Sequence, residues 1–218
     1  MAVSETATTQ IPIKAGEALA AEKTAAGPLA PDPTILGLPA FVAGSVALGL
    51  TFTGYVPATA RAGALPIILF STGIGLLLAT VWAIAVGQSV VACVFGIFSG
   101  FWLSYSALLL GLGHNWFGIA SADITHSVAA FLITWLVIIG LLTLAVLRLP
   151  FAFTLVNVLI DLALVLILVG TIQGSANLDK AGGWVALLFA AVGAYLFVGS
   201  ASVATGGKPL PLGRPVIS

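Results

Sequence analysis

The sequence predicts an all-α membrane protein with six transmembrane helices, and two observations carry this prediction. Apolar side chains make up 60% of the 218 residues and charged ones only 6%, too few to cover the surface of a soluble globule. The apolar residues are also gathered into six runs, each close to the roughly 20 residues that a helix needs to cross the hydrocarbon of a bilayer.

Polar stretches at the two ends of the chain set its domain organisation. Residues 1–31 are rich in Ala, Thr, Glu, Lys and Pro and lack apolar periodicity, so we expect a flexible N-terminal tail and no cleaved signal peptide. The transmembrane domain then occupies residues 32–204, and residues 205–218 form a C-terminal tail. The six spans are predicted near Leu36–Val56, Ala62–Val86, Ser89–Leu112, His126–Leu147, Phe151–Ile172 and Ala181–Val203.

The connections between the spans are short and contain turn residues. Gly87-Gln88 and Arg148-Leu149-Pro150 each predict a tight hairpin between neighbouring helices. Only the third loop, Gly113 to Thr125, is long enough for local structure. The helices themselves are rich in small residues, which let backbones approach closely where lipid offers no hydrophobic driving force. Rows of small residues four apart include Ala79, Ala83 and Gly87, then Gly96, Gly100 and Ser104, and Gly170 with Gly174.

The distribution of basic residues predicts the orientation in the membrane. Six spans place both termini on one side, and most basic residues fall there. We therefore expect both termini to be cytoplasmic, and the protein to lie in the cell (plasma) membrane. The basic residues of the terminal side are Lys14, Lys23, Arg148, Lys208 and Arg214, against Arg61 and Lys180 opposite.

Several function classes are excluded by composition and by missing motifs. Seven acidic and seven basic residues leave no net charge and no basic cluster, which argues against a nucleic-acid partner. The sequence contains no phosphate-binding Gly-rich loop, no His pair at metal-ligand spacing and no nucleophile motif. We therefore expect no enzyme activity, no cofactor and no metal. The single cysteine, Cys93, lies in an apolar run and is interpreted as a packing residue.

Four stretches resemble the acetate uptake transporter family, also called the GPR1/FUN34/YaaH family. "DPTILGLPAF" (Asp32 to Phe41) is similar to the Asn-Pro-Ala-Pro-Leu-Gly-Leu signature that opens the family's first helix. "FGIFSGFWLSYSALLL" (Phe95 to Leu110) resembles its third helix. "GGWVALLFAAVGAYL" (Gly182 to Leu196) resembles its last helix, and the "LPLG" that follows at Leu210 to Gly213 resembles its tail. The resemblance implies six helices, a pore within each protomer and a ring-shaped homo-hexamer.

The signature departs from the family pattern at two positions, where Asp32 replaces Asn and Ile35 replaces the second Pro. Pro33 cannot continue a helix from the residue before it, so Asp32 is placed to cap a helix that starts near Pro33. The backbone N–H groups at such a helix start also attract anions, and an ionised Asp would compete with a substrate carboxylate. A plain cap and a changed substrate role are both consistent with the sequence.

The resemblance also implies a constriction of bulky side chains from the first, third and fifth helices. The matching positions are Phe41, Phe98 and Ile160. The family often has Tyr where Phe98 stands, so the neck of this pore is expected to be wholly apolar and to gate by dewetting. The alternative is that all three are ordinary core residues. Tyr195, near the end of the last similar stretch, is added to the candidate pathway residues.

A polar stripe on the fifth helix supplies further candidates for the substrate or proton pathway. Thr154, Asn157 and Asp161 are spaced three and four apart and share a helix face, which must point into protein or water because lipid disfavours polar groups. Burial also disfavours the charged form of a carboxyl group, so we expect Asp161 to be neutral. It either carries a coupling proton or is a structural residue hydrogen-bonded to Asn157 and a neighbouring helix.

Three functional hypotheses remain at this point. The first is a transporter or channel for acetate and related short monocarboxylates, coupled to protons because an inside-negative potential opposes uptake of the anion alone. The second is a channel for neutral solutes such as urea, amides or ammonia. The third is a membrane sensor or scaffold without flux.

Overall fold

The computed structural model describes residues 32–217, and the proposed N-terminal tail at 1–31 lies outside them. Within this range six helical spans of 20 to 29 residues are long and apolar enough to cross a membrane, the second counted from Ala58 and the fourth from Ser121, which confirms the predicted fold class. Their bounds are α1 Thr34–Thr53, α2 Ile67–Ile74 continued by Gly75–Ala85, α3 Ser89–Gly113, α4 Ile124–Ala145, α5 Phe151–Gln173 and α6 Ala176–Ala204.

The second span is less regular than the sequence predicts. A 3₁₀ segment, Ala58–Ala64, precedes it, and its first part, Ile67–Ile74, is a π-helix. The π-helical segment packs against its neighbours: Thr72 contacts the backbone of α1 at Gly44, and Ser99 of α3 donates a hydrogen bond to the Gly73 carbonyl at 2.9 Å. A backbone carbonyl has two lone pairs, so Gly73 can accept this bond from α3 in addition to one from its own helix.

Helices α1 and α6 form a close contact between small residues. A Cβ added at Gly183 would lie 2.6 Å from the Thr53 backbone nitrogen, and one at Gly49 would lie 2.7 Å from Leu187. The predicted small-residue rows also pack, since Ala79 and Ala83 of α2 are fully buried and Gly100 of α3 faces the ring of Trp135. These glycines give the dispersion contacts that hold helices together in lipid.

Both described ends of the chain lie at one end of the bundle, as expected for an even number of spans. Thr34 Oγ1, at the start of α1, is 2.9 Å from Ser200 Oγ near the end of α6. We call this the terminal end of the bundle and the opposite one the distal end. The segment after α6 returns to the α4–α5 link, where Ala152 N–H donates to the Leu212 carbonyl at 2.9 Å and Val216 N–H to the Leu147 carbonyl at 3.1 Å.

The start of α6 differs from the prediction: the helix begins at Ala176 and not near Ala181. The extra turn contains Asp179 and Lys180, which the apolar run excluded. A helix can extend beyond the hydrocarbon into the polar interface, where charged side chains meet water. Hydropathy therefore locates the buried part of a span and not its end.

Candidate solute pathway

Three cavities follow one another along the inside of the bundle. The terminal vestibule has a volume of about 220 Å³ and includes Thr34, Val90 and Phe153 at the terminal ends of α1, α3 and α5. The distal vestibule, of about 400 Å³, includes Thr51 and Thr171 from the opposite ends of α1 and α5. A neck of about 20 Å³ lies between them. It shares Phe41 and Phe98 with the terminal vestibule, and Leu48, Phe101, Leu164 and Ile167 with the distal one.

The neck contains the three residues that the sequence nominated as a constriction. Phe41, Phe98 and Ile160 all line it, and each is 4–5% exposed. The rings of Phe41 and Phe98 have their centroids 5.3 Å apart, and the Phe189 ring of α6 lies 5.8 Å from Phe41. A volume of about 20 Å³ admits about one water molecule. The neck is therefore closed to a hydrated solute in this conformation.

A glycine in α6 makes room for the Phe41 ring. A Cβ at Gly193 would lie 3.2 Å from Phe41 Cδ1, closer than most side-chain contacts, so the ring lies over the bare α6 backbone. Phe41 is thus held between α6 and the Phe98 ring. The side chains determine how narrow the neck is, and the packing of α1 against α6 determines where it lies.

The start of α1 forms the rim of the terminal vestibule. The expected cap is present: Asp32 Oδ1 accepts a hydrogen bond from the Thr34 backbone N–H at 2.9 Å. Asp32 Oδ2 accepts a second bond, from Thr34 Oγ1, at 2.6 Å. The helix begins at Thr34, one residue later than predicted. Since Thr34 lines the vestibule, Asp32 places a carboxylate beside its opening.

The polar stripe of α5 separates into three environments. Thr154 is buried and its Oγ1 donates to the carbonyl of Val146, the residue after α4, at 3.3 Å. Asn157 lines the terminal vestibule, where its Nδ2 donates to the Phe153 carbonyl at 2.9 Å. Because a carbonyl can only accept, this bond fixes the amide with Oδ1 turned away from Phe153. No partner for that Oδ1 occurs among the described residues.

Asp161 pairs with α4 and is not among the described residues that line the three cavities. Its Oδ2 is 2.7 Å from Thr143 Oγ1, which is also 3.0 Å from the Ile139 carbonyl of its own helix. Thr143 has one hydroxyl proton for these two neighbours. A neutral Asp161 resolves the competition, because its own O–H can donate to Thr143 while Thr143 donates to Ile139. The sequence anticipated a bond to a neighbouring helix, but it named Asn157 as a partner, and Asn157 bonds elsewhere.

Tyr195 lies on the outer side of α6. Its side chain is 39% exposed, and its hydroxyl donates to the Pro211 carbonyl at 2.8 Å. With Phe151 and Leu212 it lines an open surface groove. The structure thus gives Tyr195 a contact with the C-terminal segment and does not place it among the described residues that line the vestibules or the neck.

The distal vestibule contains polar residues that the sequence did not nominate. Arg61 of the 3₁₀ segment, Tyr105 of α3 and Asp179 of α6 all line it. Arg61 was counted only as a loop charge, and Asp179 fell outside the predicted sixth span. A cation, a carboxyl group and a phenol in a mainly apolar cavity are the kind of groups that hold a small polar solute. No sequence motif links these residues, because they come from three separate elements.

Comparison with known proteins gives consistent matches. The profile of the GPR1/FUN34/yaaH family matches residues 18–208. Acetate permease A of Emericella nidulans is 30% identical over 171 residues, and Ammonia transport outward protein 3 of Saccharomyces cerevisiae is 27% identical over 165 residues. These alignments cover 73% and 75% of this chain but only 57% and 60% of the relatives, so the chain spans less than two thirds of their length.

One solved structure, that of the bacterial acetate channel SatP, has the same fold. It superposes with a TM-score of 0.74 at 24% sequence identity, covering 84% of this chain and 99% of that one. At this identity the likeness concerns the fold. Together with the family profile, it places the chain among membrane channels and transporters and not among enzymes.

Proposed function

Because this chain belongs to the GPR1/FUN34/YaaH family, we propose that it is a transporter or channel for acetate and related short monocarboxylates, coupled to protons. The observation that carries the proposal is the series of terminal vestibule, neck and distal vestibule along the inside of one protomer. Phe41, Phe98 and Ile160 form the constriction in this path. A solute that crosses it must leave its hydration shell, so the neck favours small solutes with a methyl group and few polar atoms.

Arg61 supports an anionic or acidic solute. It lines the distal vestibule, where a guanidinium group attracts carboxylates and repels ammonium ions. Asp179 in the same cavity offers a carboxyl group that can exchange a proton. The distal vestibule therefore has the groups needed to collect an anion and to present it with a proton.

Asn157 supports passage of the protonated acid through the neck. Its free Oδ1 is an acceptor, and the residue lines the vestibule on the far side of the neck from Arg61. An acceptor stabilises the O–H of a carboxylic acid and repels a carboxylate, whose oxygens are acceptors themselves. The neutral acid also crosses an apolar neck at a much lower desolvation cost than the anion. Proton-linked transport follows if the acid releases its proton beyond the neck. We leave Asp161 and Tyr195 outside this pathway and assign Asp32 to the rim.

Ammonia is a second candidate substrate, favoured by the similarity to Ammonia transport outward protein 3. A neutral NH₃ molecule also fits a narrow apolar neck and can donate to Asn157. It gains nothing from Arg61, whereas acetate does.

The proposal extends to orientation and assembly. Arg148, Lys208 and Arg214 lie at the terminal end and Arg61 and Lys180 at the distal end, so the terminal end faces the cytoplasm by the excess of positive charge. We place the protein in the plasma membrane as a homo-hexamer, each protomer with its own pathway.

Uptake into proteoliposomes tests the substrate. Labelled acetate, urea and methylammonium are offered separately at pH 7.5, with protein-free liposomes to subtract diffusion of acetic acid through lipid. We expect acetate uptake above that background, greater at lower external pH and abolished as net accumulation by a protonophore. Uptake of urea or methylammonium without uptake of acetate would support the neutral-solute channel. If none of the three is taken up, the protein is a sensor or scaffold.

A further inference from the structure

One residue that lines the neck has a polar side-chain atom that the pathway described above does not use. Trp102 of α3 lines the neck and is 2% exposed. Its indole Nε1–H has no hydrogen-bond partner anywhere in residues 32–217. Buried Trp N–H groups usually find a partner, and leaving one without an acceptor is unfavourable. An unpaired, buried donor on a residue that lines the narrowest point of a pathway calls for a functional explanation.

The other residues that line the neck are hydrocarbon. They are Phe, Leu, Ile and Ala side chains, so among the described lining residues Trp102 alone has a side-chain donor. The helix backbones cannot help a solute there, because their N–H groups are already bonded within the helices. Among the described side chains that line the neck, only Trp102 therefore has a group that can donate a hydrogen bond to a solute.

We propose that Trp102 is a specificity-determining residue whose Nε1–H donates to a carbonyl or carboxylate oxygen of the solute in the neck. This inference rests on the proposed function and adds a donor to it. A carboxylic acid has an O–H and a C=O group. In the terminal vestibule Asn157 Oδ1 accepts from the first, and in the neck Trp102 donates to the second. Ammonia has no oxygen atom, so it does not form this hydrogen bond.

Replacing the indole by a phenyl ring tests the role of the N–H group. Trp102→Phe keeps an aromatic ring but removes the donor, and we expect acetate permeability in proteoliposomes to fall about tenfold, which corresponds to about 1.4 kcal/mol. The matched control is Trp135→Phe on α4, whose ring packs edge-on against Phe101 outside the neck. We expect that variant to transport like the parent.

The direction of the change separates loss of the donor from a change in size. A smaller ring widens the neck, so a purely steric Trp102 would give raised acetate uptake in Trp102→Phe. Unchanged or raised uptake in Trp102→Phe, or an equal fall in Trp135→Phe, overturns the inference and leaves the proposed function intact. If the parent protein takes up no acetate, the proposed function is contradicted, and the inference fails with it.

A measurement on the unchanged protein covers the case in which Trp102→Phe does not fold. The five Trp residues are labelled with ¹⁵N in the indole ring, and the Trp102 resonance is assigned by single replacement of the other four. Adding acetate should shift the Trp102 N–H signal to lower field, whereas an equal concentration of chloride should not. An unmoved Trp102 signal at acetate concentrations that saturate uptake overturns the inference.

Discussion

Truncation of Phe98 tests whether the neck sets the size limit for solutes. Phe98 is 4% exposed and its ring lies 5.3 Å from that of Phe41. Phe98→Ala removes a volume on the order of three water molecules, taking about 30 Å³ for each, from the wall of a neck of about 20 Å³. The neck, which admits about one water molecule in the parent protein, therefore gains room for about three more and becomes wet. We expect succinate uptake to rise about tenfold relative to acetate, a fall in the barrier of about 1.4 kcal/mol.

The assay compares labelled succinate and acetate uptake in proteoliposomes, with Phe95→Ala as the matched control. Phe95 is equally buried, at 4% exposed, but it lines the terminal vestibule and not the neck. Both truncations should reduce thermal stability, by up to about 3–5 kcal/mol where the void stays empty. An unchanged ratio of succinate to acetate in Phe98→Ala would refute the role of the neck, as would the same increase in Phe95→Ala.

Three further perturbations probe other parts of the structure. Asp161→Asn should assemble and accumulate acetate like the parent, because an amide can replace a neutral carboxyl opposite Thr143; lost accumulation with retained downhill flux would assign the coupling proton to Asp161. Gly183→Ala should lower stability in a thermal-unfolding assay by about 1–3 kcal/mol, because the added Cβ would lie 2.6 Å from Thr53 N. Gly140→Ala should not lower it, because no atom lies within 4 Å of a Cβ added there. Arg61→Gln should slow acetate uptake about threefold at low ionic strength and less at high salt, and Lys180→Gln is the control. Equal slowing by Arg61→Gln at all salt concentrations would contradict electrostatic attraction of the anion.

The sequence predicts the number and approximate position of the helices because lipid imposes a strong local rule. A span such as α5 must be apolar for about 20 residues and must bond its backbone internally. The rule does not predict where a helix begins or ends. Helix α6, for example, includes the charged residue Asp179 in its first turn. The rule does not predict the π-helical segment of α2 either, because the wide turns there occur together with contacts to Gly44 and Ser99 on other helices.

The candidate site is partly predictable for a related reason. The resemblance nominated Phe41, Phe98 and Ile160, and all three line the neck. Periodicity placed Asn157 and Asp161 on one face of α5 but could not tell which neighbour each would meet. That depends on how α4 packs and on the position of Thr143. Arg61 and Asp179 gave no sequence signal for the site, since their importance comes from a cavity that several helices enclose.

Acetate flux through a neck blocked by one added side chain tests the central claim most directly. Ile160 lines the neck, whereas Val158 on the same helix is 47% exposed on the outer surface. Labelled acetate uptake is measured in proteoliposomes containing the parent, Ile160→Trp or Val158→Trp, each shown by size-exclusion chromatography to assemble normally. We predict parent-like uptake for Val158→Trp and uptake no greater than that of protein-free liposomes for Ile160→Trp. Parent-like uptake through correctly assembled Ile160→Trp would contradict the claim that acetate passes between Phe41, Phe98 and Ile160.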